Sequence, residues 1–157
     1  MTLSQHWERH AKAWIAWSSS SPHDGFWDGT WPELRAVLPP PHGLVVDVGC
    51  GEGRLGRKLQ PLGYDVVALD RSPTLLRAAF VANPTIPAVL ADAAAVPLRD
   101  GRARLVVACM VLLDVDDLNA TLREASRILT ADGVICFVAL LNNSAEGWFD
   151  AAEDLGR

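Results

Sequence analysis

Val45-Val46-Asp47-Val48-Gly49-Cys50-Gly51-Glu52-Gly53-Arg54-Leu55-Gly56 reads as a strand, a glycine-rich turn and the start of a helix. The β-branched run is apolar on both faces, as a strand buried in a parallel sheet must be. The glycines let backbone N–H groups approach a ligand at the helix start. Two glycine frames overlap. Gly49-x-Gly51-x-Gly53 is one, and Gly51-x-Gly53-x-x-Gly56 fits the dinucleotide fingerprint. The glycines alone do not choose between them.

Downstream, strand and helix patterns alternate. Leu55, Leu59 and Leu62 recur at helical spacing, and Asp65 to Leu69 is a second apolar strand. Ser72-Pro73 opens a helix, as an N-cap followed by proline at the first helical position. Its apolar face is predicted at Leu75, Leu76, Ala79 and Phe80. Ile86 to Leu90 is a weaker third strand, and Leu105 to Cys109 a fourth. Asp116 or Asp117 caps a helix whose face is Leu118, Leu122, Ala125, Ile128 and Leu129. Asp132-Gly133 then turns the chain into a fifth strand, Val134 to Leu140. The pattern predicts an α/β fold: a Rossmann-like, doubly wound parallel sheet of five strands with helices on both faces.

Upstream the composition changes. Residues 1–42 hold five of the six tryptophans and all four histidines. Leu3, Trp7, His10, Trp14 and Trp17 recur at three- and four-residue spacing, which predicts a first helix with an aromatic stripe. Ser18 to Gly25 reads as a loop, and Pro39-Pro40-Pro41 ends the zone. The chain thus divides into an aromatic helical cap (1–42), a ligand-binding core (43–141) and a short tail (142–157), within one domain.

At 157 residues the chain can bury a real core. The net charge of -5 opposes a phosphate backbone, so nucleic acid is not an expected partner. The longest apolar run, Leu105 to Leu113, is too short to span a bilayer, and Met1 to His10 has no signal-peptide character. Cys50, Cys109 and Cys136 form neither a disulfide framework nor metal spacing. A cytoplasmic protein with reduced thiols and no bound metal is expected. His6 and His10 stand one helical turn apart, and Asp114, Asp116 and Asp117 cluster. Both groups read better as an exposed pair and a capped helix start.

Electrostatics separates the two glycine frames. A pyrophosphate seated on this turn would meet Asp47 and Glu52 with like charge, at a cost of several kcal/mol at short range. S-adenosylmethionine has no phosphate; it carries an ammonium and a sulfonium, which suit an acid at Asp47. Asp70, 17 residues past Gly53, ends the second strand and can accept both hydroxyls of a ribose. Asp92 follows the third strand, and Ala93 beside it leaves room for an adenine ring.

In this order the segments resemble the class I S-adenosylmethionine-dependent methyltransferases of the UbiE-like (methyltransferase type 11) group. The matching stretches are Val45 to Gly53, Leu69-Asp70, Ala91-Asp92-Ala93, Leu105 to Leu113, and Leu122 to Leu129 before Asp132-Gly133. The resemblance covers about Gly43 to Leu140. It implies methyl transfer from S-adenosylmethionine to a small-molecule acceptor. Asp47 would act near the methionine amine. Gly49, Gly51 and Gly53 would admit the cofactor to the backbone. Asp70 would bind the ribose, Asp92 and Ala93 would border the adenine, and the Cys109 carbonyl would lie near the ammonium. Cys50 and Arg71 complete the expected cofactor-binding set. His23 and Asp24 are the candidates for a general base, and Trp14, Trp17 and Trp27 would either cover the cofactor or acceptor or pack as an aromatic cap on the sheet.

The resemblance departs at the end. The family's two further strands, an antiparallel edge, are expected to be missing after Leu141. The fifth strand would then be an apolar edge, so either the chain is a fragment or a partner covers that edge, as in a homodimer through the fifth strand. An NAD-dependent oxidoreductase and a truncated, non-catalytic partner subunit stand as the alternatives.

Overall fold

The computed structural model describes residues 2–20 and 25–139. Helix α1 (Leu3–Ser20) leads into a π-helical turn (Phe26–Thr30) and α2 (Trp31–Val37). Then follow β1 (Leu44–Val48), α3 (Arg54–Leu59), β2 (Asp65–Asp70), α4 (Pro73–Ala82), β3 (Ala88–Leu90), β4 (Ala103–Cys109), α5 (Leu118–Ile128) and β5 (Leu129–Val138). The five strands form one parallel sheet in the order β3-β2-β1-β4-β5. Strand order reverses between β1 and β4, so the crevice beyond their carboxyl ends is the natural ligand position.

The side-chain period of two sorts each strand into two cores. Val45, Val66, Ala68, Leu105 and Val107 face Leu34, Leu55, Leu59, Leu76 and Ala79, from α2, α3 and α4. Val46, Val48, Leu69 and Val106 face Ala125 and Ile128 of α5. Helices therefore cover both faces of the sheet. No helix among the described residues is long and apolar enough to cross a membrane.

Four local expectations are corrected. Helix α1 runs through Ser18, Ser19 and Ser20, where a loop was expected. The Ser18 and Ser19 hydroxyls donate to the Ile15 carbonyl and the Ser20 hydroxyl to that of Ala16, which lets serine continue a helix. Leu62 lies in a 3₁₀ turn, Gln60–Leu62, because Pro61 stops the α-helical bonding. Phe80, Leu118 and Leu122 were expected in the core but are exposed, Phe80 to 53%. Helix α4 buries Leu75, Leu76 and Ala79, and α5 buries Thr121, Ala125 and Ile128. Phe80, Leu118 and Leu122 lie at the margins of these narrow buried stripes.

The fourth correction concerns β5, which begins at Leu129 and not at Val134. Ala103 pairs with Leu129 and Leu105 with Val134, so the Asp132-Gly133 turn is absorbed as a bulge inside the strand. Arg104 secures it through an ion pair with Asp132 and a hydrogen bond to Thr130. Val134 and Phe137 of this edge strand are exposed. The expected tail, 142–157, lies outside the described residues.

Candidate functional site

The site is built on the turn between β1 and α3. Cys50 N–H donates to the Leu69 carbonyl at 3.0 Å, and Gly53 N–H to the Cys50 carbonyl at 2.9 Å. These bonds stitch the turn to β2 and close it on itself. Gly49, Gly51 and Gly53 all have positive φ. Gly49 is also confined: a Cβ there would lie 2.2 Å from Val111 Cγ2.

Asp47 is 1% exposed beneath this turn. It accepts from the Gly56 backbone N–H, while its Oδ2 has no hydrogen-bond partner. Burial, then the negative charges of Asp70 and Glu52, push its carboxyl up to about 7. Glu52 is also buried, but it is paired. Arg54 Nε lies 3.0 Å and Arg57 Nη2 3.4 Å from its Oε1. Both guanidinium groups are thereby committed to a protein carboxylate. The Cys50 thiol is buried and its pKa raised, chiefly by that burial. The Cys109 thiol is raised to about 12 for the same reason. Neither is a nucleophile at neutral pH.

Asp70 stands at the end of β2, beside the turn. Its Oδ2 accepts from Gly51 N–H and its Oδ1 from Ser72 N–H, each at 2.8 Å. Burial raises its pKa against the pull of these donors. The Arg71 backbone N–H also donates to this carboxylate, which leaves about one acceptor position for a further donor. Asp92 uses Oδ1 to accept from Ala94 N–H, and Arg71 Nη1 sits 3.0 Å from its Oδ2. Arg127 fixes the loop that follows, donating to the Val96 and Leu98 carbonyls and pairing with Glu124 and Asp100.

Helix α1 crosses the carboxyl ends of these strands. Leu3 N–H and the Ser4 hydroxyl donate to Asp116, which also pairs with Arg71. Trp7 hydrogen-bonds Asp114, whose pKa burial raises. Glu8 reaches Ser72 and Thr74. Trp14 stacks with Trp17, stands edge-on to Trp7 and approaches Gly51. Arg54 lies over the rings of Trp14 and Phe26. Lys58 covers Trp27, whose ring is on the surface.

The structure thus brings Asp47, Gly49, Cys50, Gly51, Gly53, Asp70, Arg71, Asp92 and Trp14 to one crevice. Cys109 ends β4 at its rim, followed by Met110, a non-glycine residue at φ 61 whose N–H donates to the Val138 carbonyl. His23 and Asp24 lie outside the described residues. The His6 and His10 rings pack 4.4 Å apart. Among the described residues no group of three His, Cys, Asp or Glu could hold a metal ion. Of the two cap candidates, Asp117 caps α5, accepting from Ala120 N–H, while Asp116 serves α1. Glu8 was missed by the sequence reading. Its acidic character inside an aromatic stripe was the only signal, and its partners are more than 60 residues away.

Residues 46–137 match the family described as "Methyltransferase domain". The chain is 33% identical over 100 residues to a malonyl-[acyl-carrier protein] O-methyltransferase of Pseudescherichia vulneris, covering 64% of this chain and 40% of that protein. It is 32% identical over 122 residues to an uncharacterised methyltransferase of Mycobacterium tuberculosis, covering 77% and 50%. It superposes on the S-adenosylmethionine-dependent methyltransferase of Mesorhizobium loti with a TM-score of 0.64 at 32% identity, covering 70% and 54%. The chain spans about half the length, or less, of these curated relatives. With the glycine turn, the reversed strand order and the matched span in agreement, this chain belongs to the class I, S-adenosylmethionine-dependent methyltransferase domain family.

Proposed function

We propose that the chain binds S-adenosylmethionine in the β1–β4 crevice and transfers its methyl group to a small-molecule acceptor. One observation carries the reading: Asp47, a fully buried carboxylate with an unpartnered oxygen, lies directly under the glycine turn. A buried, unpaired acid beneath the turn makes the site more favourable to a cationic ligand than to an anionic one. The adjoining charges point the same way. Asp70 adds a second acid, and Arg54 and Arg57 are held by Glu52 rather than offered to a phosphate. This set would repel the pyrophosphate of a dinucleotide.

The bound cofactor supplies a methyl group on a cationic sulfur, open to in-line displacement by a nucleophile. The residues supply position and dryness. Asp70 would accept from the ribose with the acceptor position that its backbone donors leave. Asp92 and Ala93 border the base. The Cys109 carbonyl would meet the ammonium end, with the Asp47 carboxylate buried behind the turn. Helix α1 lies over the crevice and keeps water from it. Exposed Met110 and Leu113, just past β4, offer an apolar rim to the acceptor. One relative is a malonyl-[acyl-carrier protein] O-methyltransferase, which makes a carboxylate the first acceptor to try. Three free thiols suit a reducing, cytoplasmic setting.

Calorimetry with S-adenosylhomocysteine and NADH tests the reading. Saturable heat with the first and none with the second is expected. No heat with S-adenosylhomocysteine, or preference for NADH, overturns it. Transfer of labelled methyl to a malonyl thioester then tests the acceptor.

A further inference from the structure

Glu8 lies in the first half of α1, yet its partners sit beyond β2. Its carboxylate accepts from the Ser72 hydroxyl, from the Thr74 hydroxyl at 2.5 Å and from Thr74 N–H at 3.3 Å. Burial opposes its ionisation, but these donors outweigh burial and hold its pKa below the usual carboxylate range. Helix α4 does not need Glu8 as a cap. Ser72 already fills that role, its Oγ accepting from Leu75 N–H at 3.1 Å. Glu8 instead orients the capping hydroxyl, whose hydrogen it takes.

The same serine leads to the ribose-binding acid. Ser72 N–H donates to Asp70 Oδ1, and Asp70 Oδ2 accepts from Gly51 N–H. Glu8, Ser72, Asp70 and Gly51 thus form one unbroken line from α1 to the glycine turn. At its far end α1 returns to that turn, with Trp14 beside Gly51.

We propose that Glu8 is a positioning residue for the cofactor: it clamps the Ser72–Thr74 turn so that Asp70 keeps its ribose-facing orientation, and it latches α1 across the crevice. The inference rests on the reading that Asp70 takes the nucleoside. Glu8 never touches the cofactor; it acts through Ser72 and through the helix that carries it.

The test uses the full chain and S-adenosylhomocysteine. Calorimetry gives affinity, and stopped-flow tryptophan emission, to which the three tryptophans of α1 contribute, gives the dissociation rate. Glu8→Ala is expected to weaken binding roughly tenfold, the size of one lost charge-assisted hydrogen bond, with a matching rise in dissociation rate. Glu8→Gln, which keeps one acceptor oxygen, should recover part of the loss. Thr74→Val should weaken binding less, and adding it to Glu8→Ala should bring no further loss, because the two groups share one contact. If Glu8→Ala does not fold, Glu8→Gln and Thr74→Val carry the test. Wild-type binding with unchanged affinity and dissociation rate in the variants overturns the inference and leaves the proposed function standing, whatever their melting temperatures. No binding by the wild type overturns both.

Discussion

Asp70 and Gly51 are 19 residues apart, yet the carboxylate of one accepts the backbone N–H of the other at 2.8 Å. The acid expected to meet a ribose therefore also fixes the turn on which the cofactor would rest. Loop geometry and the proposed ligand recognition would then share one side chain.

Asp70→Asn should expose that double duty. An amide cannot accept on both sides, so either Gly51 or Ser72 loses its partner. An unsatisfied N–H here costs about 1–3 kcal/mol. We expect at least tenfold weaker binding of S-adenosylhomocysteine together with a lower melting temperature, measured by calorimetry and thermal unfolding. Unchanged affinity would remove Asp70 from the site.

Asp47 predicts a pH dependence. Its carboxyl is raised from 3.8 to about 7, so within that window the folded chain holds a proton that the unfolded chain has released. Stability contributed by this group falls as pH rises through the window; the penalty is absent below it and complete above it. Asp47→Asn should thus be more stable than the wild type at alkaline pH, by an upper bound of roughly 4 kcal/mol at about 1.4 kcal/mol per pK step. The gap should close toward acid pH. Paired denaturant titrations across the range check this, and a gap independent of pH would contradict it.

The sequence carried much of this. Strand β1, Leu44–Val48, is legible residue for residue, because an apolar run ending in glycines has few other readings. Asp70 and Asp92 are legible as strand-end acids. Glu8, Asp116 and Arg71 are not, because their roles depend on where a distant helix lands. Phe80 and Leu122 misled because an apolar side chain at helical spacing marks a stripe without giving its width. The β5 bulge misled because Asp-Gly signals a turn locally, while pairing with β4 absorbs it.

Gly49→Ala should be destabilising through two independent causes. An L-residue at φ 67 costs about 1–2 kcal/mol, and the new methyl would sit 2.2 Å from Val111 Cγ2. We expect a lower denaturant midpoint at unchanged slope, and partial recovery on adding Val111→Ala. Full stability in the single variant would show that the turn relaxes freely.

Asp116 and Asp117 are neighbours with separable effects. Asp117→Ala removes the cap of α5 and should lower stability by about 1 kcal/mol. Asp116→Ala releases the start of α1 from Leu3 and Ser4, and should speed proteolytic cleavage near that end with little change in melting temperature. Indistinguishable digestion patterns would refute this division.

The anchoring of α1 has a consequence for biosynthesis. Its first turn leaves the ribosome well before the aspartate that receives it, which is translated 113 positions later. The strap is thus made before its anchor exists and can be seated only once the β4–α5 loop has been synthesised.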